Sequence, residues 1–328
     1  MTVTTQSQSH LLNRRTLVAG AAALAASGVA RAPAAAKGPR VWLDMDQQEL
    51  DDAYDQSKYA PNQPQVTHRY AVNSEIARSR LGPPRRVAYG ATPIETLDIY
   101  AAGRPGAPVM MFVHGGAWRA GLAKNYGFPA ENFVHAGAHF VVPDFINVME
   151  AHGDLMPMVA QVRRALAWIA NNAASFGGDP ARIFVAGHSS GAHLGGCLLV
   201  TDWRTEFGLP ADVIKGAALC SGMYDLKPVR LSARSSYVEF TDAVEEALST
   251  QRHLDRLATP LTLLHGTVET PEFQRQTRDF AVALKAAGKP VNLIVADGYN
   301  HFELMETLAN PFGPFGRAAL DLMGLAAG

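Results

Sequence analysis

The chain has 328 residues, 48% of them hydrophobic, and a formal net charge of -1. That is enough apolar material to bury a sizeable core. The charge balance offers no footprint for nucleic acid or for acidic membranes, so the expected partner is a small molecule.

Residues 1–36 read as a signal peptide. Arg14 and Arg15 stand before the apolar run TLVAGAAALAASGVA, too short to span a bilayer as a mature helix, and small-residue cleavage sites follow that end at Ala32 or Ala36. Paired arginines ahead of such a run resemble the twin-arginine signal. The expectation is therefore a protein that uses the twin-arginine export machinery. It would end periplasmic or secreted, with no stable membrane association once the signal is removed. Cys197 and Cys220 are the only cysteines, and both lie in apolar runs. They are expected as buried free thiols.

Residues 37–328 read as one domain. A polar helical leader occupies about 40–82, and RRVAYG with ETLDIYA predicts an antiparallel edge hairpin. Short runs rich in Val, Ile, Leu and Phe at 109–115, 139–145, 182–188, 214–222, 261–266 and 291–298 predict buried parallel strands. Helical patterns alternate with them. One opens at Asp154 and stops at Gly177-Gly178; another opens at Pro271 and closes at Gly288. About 227–256 lacks strong strands and reads as a small cap insert beside the site. The fold class is α/β, a mostly parallel twisted sheet with helices on both faces.

The chemistry is carried by VAGHSSGAHLGG. Its Gly-His-Ser-Ser-Gly core follows a predicted buried strand and precedes an apolar helix, the strand-turn-helix context that a nucleophile elbow requires. Ser189 is the candidate nucleophile. Upstream, FVHGGAW supplies a glycine-rich loop whose N–H groups at Gly115 and Gly116, with that of Ser190, are candidates for an oxyanion hole. In the chain order nucleophile, acid, histidine, His301 is the candidate base, because it alone sits in a loop between the last strand and a C-terminal helix. His114 is expected to order the loop, and His193 and His265 are read as structural. Glu269, after LTLLHG, is the preferred acid; Asp225 and Asp297 are its rivals. No cofactor is implied, and no histidine or carboxylate spacing suggests a metal. Trp118, Tyr224 and Phe302 flank the motifs as candidate pocket residues, with core packing the alternative for each.

The motifs HGGAW, AGHSSGAHL, SGMYDL, ETPEFQRQ and NHFELMETL, with the leader ELDDAYDQSKYAPN and VAYGATPIETLDIY, resemble the arylformamidases, or kynurenine formamidases, of the α/β-hydrolase superfamily. The resemblance spans nearly all of the mature chain. It implies an α/β-hydrolase fold, a triad of Ser189, Glu269 and His301, and no cofactor. Glu269 replaces the more usual Asp, Ala117 stands where the oxyanion loop often has an aromatic residue, and a signal precedes the domain. An exported enzyme meets environmental compounds, so the expected activity is that of a serine carboxylesterase or amidase on small aryl esters or amides. N-formylkynurenine hydrolysis is the alternative, and a catalytically silent hydrolase-fold binding protein is the non-enzymatic one.

Overall fold

The computed structural model describes residues 1–2 and 37–326. The chain divides into Met1–Lys37 and Gly38–Gly328, and the architecture below is that of the second unit. The twin-arginine signal and its cleavage sites fall on residues 3–36, outside the described residues.

Eight strands form one sheet: β1 (Arg85–Ala88), β2 (Thr96–Tyr100), β3 (Ala107–Val113), β4 (His139–Pro143), β5 (Gly178–His188), β6 (Ile214–Cys220), β7 (Leu261–Val268) and β8 (Val291–Asn300). Their order is β1-β2-β4-β3-β5-β6-β7-β8. β1 and β2 form the antiparallel hairpin expected at one edge, and β2 joins β4 antiparallel. From β4 to β8 every pairing is parallel.

Strand side chains alternate between two apolar layers. Val109, Met111 and Val113 of β3 enter one core, while Met110 and Phe112 enter the other. β5 repeats the pattern, with Ile183 and Val185 on one side and Phe184 and Ala186 on the other. Both faces being covered explains why these strands read as unbroken apolar runs rather than alternating ones. The helices Met156–Asn172, Ser190–Leu199 and Pro271–Ala286 cover the first face; Gln63–Leu81 of the leader and Pro314–Met323 cover the second.

Helix punctuation follows the sequence with a one-residue offset at Asp154. The helix begins at Met156 behind Leu155, and the Asp154 carboxylate still caps it by accepting from the Met156 N–H at 2.8 Å. Its C-terminal end tightens into a 3-10 turn, which Gly177 terminates at φ 85°. The insert, read only as lacking strong strands, is helical, with Leu226–Leu231 and Asp242–Leu248 joined by short turns. Among the described residues no helix is long and apolar enough to cross a membrane.

Candidate active site

β5 delivers the chain to the elbow, and the helix Ser190–Leu199 carries it away. Between them Ser189 sits at φ 58°, ψ -126°, a conformation that costs a non-glycine residue about 1–3 kcal/mol and is retained where the surroundings fix it. The flanking glycines make this turn sterically feasible. A Cβ on Gly187 would lie 2.6 Å from the Gly191 carbonyl oxygen, and one on Gly191 would lie 2.1 Å from that of Val113. Ser189 and His301 open together on a cleft of about 880 Å³.

His301 is the first residue of a short helix, His301–Glu306, at the end of edge strand β8. Asn300 and Glu303 form a capping box that fixes where this helix starts. Glu269 follows β7 directly and is buried. Its Oε2 lies 2.8 Å from His301 Nδ1, while its Oε1 accepts from Ser221 Oγ and from the Gly266 N–H, each at 2.6 Å. A buried carboxylate is tolerable when its lone pairs are occupied in this way. The rivals sit elsewhere. Asp225 caps the helix Leu226–Leu231 and meets Arg252, and Asp297 accepts from Thr267 on the exposed side of β8.

His188, the residue before Ser189, was not singled out by sequence reasoning. It lines the cleft, and its Nε2–H donates to the His301 carbonyl at 2.9 Å. Burial first, and the adjacent His301 second, hold its pKa well below the usual imidazole range, so the ring is neutral. The only sequence signal for it is its place within the elbow. The histidines read as structural are so. His114 stacks between Tyr126 and Phe145, with ring centroids at 4.9 and 4.5 Å. His193 accepts from Trp118 Nε1 at 3.2 Å and donates to the Leu248 carbonyl at 3.1 Å, tying the glycine-rich loop to the insert. His265 bonds the Gly266 carbonyl beside it.

In the glycine-rich loop one of the two expected glycines reaches the cleft. Gly116 (φ 124°) and Ala117 (φ 55°) line the cleft. Gly115 does not; it lies behind the elbow, where a Cβ would come within 3.0 Å of Ser189 Cβ. The N–H groups of Gly116, Ala117 and Ser190 donate to no partner among the described residues, whereas the Trp118 N–H is taken by Ser190 Oγ at 3.2 Å.

Two of the three aromatic pocket candidates require correction. Phe302 lines the cleft, but Trp118 and Tyr224 do not. Trp118 is 2% exposed, with its indole turned to His193, and Tyr224 is wholly buried, stacked on Phe280 at 4.4 Å. Adjacency to a motif does not fix which way a bulky side chain points, and both rings pack into the apolar core. Both cysteines are buried and free, and burial raises the Cys197 thiol to about 12. Among the described residues no cluster of three or more His, Cys, Asp or Glu is arranged to hold a metal.

This sheet order, with an elbow after β5 and a histidine after β8, is that of an α/β-hydrolase. The thermophilic esterase Est2 of Thermogutta terrifontis shares the fold at TM-score 0.59 and 19% identity, over 74% of this chain and 91% of that one. A family model described as BD-FAE matches residues 97–212. The kynurenine formamidase of Danio rerio is 30% identical over 282 residues, covering 82% of this chain and 94% of the relative. That of Salmo salar is 28% identical over 304 residues, covering 86% and 98%. The chain belongs to the kynurenine formamidase family of the α/β-hydrolases, and is a hydrolase of the serine-hydrolase type.

Proposed function

We propose that the protein hydrolyses small aryl esters or amides through an acyl-enzyme on Ser189. His301 takes the Ser189 proton as Oγ attacks the substrate carbonyl, and Glu269 holds the imidazole orientation and balances its charge. The N–H groups of Gly116, Ala117 and Ser190 receive the oxyanion. His301 then protonates the leaving alcohol or amine, and water, activated by the same histidine, releases the acid. The observation that carries this reading is the 2.8 Å contact between buried Glu269 and His301, with His301 lining the same cleft as the strained Ser189.

The substrate class rests on size. A cleft of about 880 Å³ has room for a whole aryl ester or amide, and Ala117 contributes only a methyl to its wall. Kinship with kynurenine formamidases favours N-formylkynurenine as the second substrate to test. Export through the twin-arginine route belongs to the same proposal, motivated by Arg14-Arg15 and the apolar run behind them. A panel of aryl acetates, aryl butyrates, aryl amides and N-formylkynurenine tests the activity. Hydrolysis of aryl esters, lost in Ser189→Ala, is expected; an inert protein across the panel would contradict it. Fractionation of producing cells tests export.

A further inference from the structure

The N-terminal leader lies outside the matched family model and reaches the site from far away in sequence. Tyr54, Gln56 and Tyr70 line the cleft. Gln56 is 7% exposed and spends both ends of its amide on consecutive residues at the acid. Its Nε2 donates to Glu269 Oε2 at 3.4 Å, the oxygen shared with His301, and its Oε1 accepts from the Thr270 N–H at 3.3 Å. Asn62 bridges the capping box that starts the helix of His301, accepting from Asn300 Nδ2 at 2.9 Å and donating to Glu303 Oε1 at 2.7 Å. Tyr70 donates its hydroxyl to the Phe302 carbonyl at 2.5 Å.

We infer that the leader is a positioning element of the active site, acting through Gln56 on Glu269 and through Asn62 and Tyr70 on the turn that carries His301. The need for it follows from topology. His301 stands at the end of β8, the outermost strand, which has a neighbour on one side only. At such an edge the strand ladder restrains the turn from one side only, so contacts from other elements complete its support. The leader helps restrain this turn with three polar contacts on residues 300–303. A base displaced by as little as about 1 Å loses on the order of a hundredfold in rate, so modest restraint has a large kinetic effect. The opposite flank of the leader is tied to the insert: Gln47 donates to the Leu231 carbonyl, Asp51 accepts from the Ala233 N–H, and Arg234 donates to the Tyr54 carbonyl. The leader thus links the insert to the proposed triad.

The inference rests on the serine-hydrolase reading, and the test separates the two. Tyr70→Phe removes one oxygen, and Gln56→Met removes both amide contacts at nearly constant volume. Each is measured by kcat and KM on an aryl ester and by the rate at which a fluorophosphonate labels Ser189, with thermal melting alongside. We expect kcat and the labelling rate to fall about fivefold to thirtyfold at unchanged KM, with melting within a few degrees of the unmodified protein. A leader that only covers apolar surface would lower the melting temperature and leave kcat alone. Retention of kcat and labelling rate within about twofold in both variants would overturn the inference. Should Gln56→Met fail to fold, Tyr70→Phe decides alone. Absence of turnover and labelling in the unmodified protein would instead count against the serine-hydrolase reading, and this inference would fall with it.

Discussion

His188 donates its Nε2–H to the main-chain carbonyl of His301, 113 residues further along the chain, at 2.9 Å, and the two rings lie 4.5 Å apart. The residue preceding Ser189 thereby holds the main chain of His301, the proposed base. The burial that lowers the His188 pKa makes its ring a weak proton acceptor, so in the proposed mechanism it does not compete with His301 for the Ser189 proton. We predict that His188→Ala lowers kcat by about tenfold to a hundredfold through misplacement of His301. Comparison of kcat on one aryl ester for the two proteins checks this, and an unchanged kcat would exclude a positioning role.

The carboxylate pairing gives a second prediction. With Glu269 alone on His301 Nδ1, Glu269→Gln should lower kcat by about two to four orders of magnitude, since an amide neither fixes the tautomer nor balances imidazolium charge. Asp225→Asn should leave kcat near its starting value, because Asp225 is occupied with a helix cap and Arg252. Parallel steady-state kinetics on the two variants distinguish them; the reverse ranking would identify Asp225 as the acid.

Buried neutral histidines make stability pH-dependent. Burial lowers the pKa of His193 from 6.5 to about 4. The unfolded chain therefore binds a proton that the folded chain refuses. This contribution is fully present above pH 6.5 and is lost as pH falls toward 4, amounting to about 3 kcal/mol in all. His188 and His114, also depressed by burial, act in the same direction. Unfolding free energies from denaturant titrations should thus decline steadily between pH 6.5 and 4, and His193→Gln should flatten the decline. An identical slope in the variant would contradict the assignment.

Much of this was legible in the sequence because the signals are local. The apolar runs of β3 to β8 and the glycine spacing around Ser189 are properties of a few consecutive residues, and Glu269 and His301 each stand at the end of a recognisable strand. The illegible parts depend on contacts between distant segments. That Gln56 touches Glu269, 213 residues away, has no sequence signature. The orientation of Trp118 and Tyr224 was missed for the same reason, since their burial is decided by His193 and Phe280. Ala117, which lines the cleft where Gly115 does not, has positive φ at a non-glycine residue, which spacing does not reveal.

Substrate preference tests the size argument. If the room in the cleft governs selection, kcat/KM for acetyl and butyryl aryl esters should be comparable to or above that for N-formylkynurenine. A preference for N-formylkynurenine above about a thousandfold, roughly 4 kcal/mol of differential transition-state binding, would restore the formamidase assignment.

The most direct test of the central claim is intact-protein mass spectrometry after incubation with a fluorophosphonate, followed by peptide mapping. The account predicts a single adduct on Ser189, absent in Ser189→Ala and strongly slowed in His301→Ala, with both variants folded. An adduct on another residue, or labelling of His301→Ala at the unmodified rate, would contradict it.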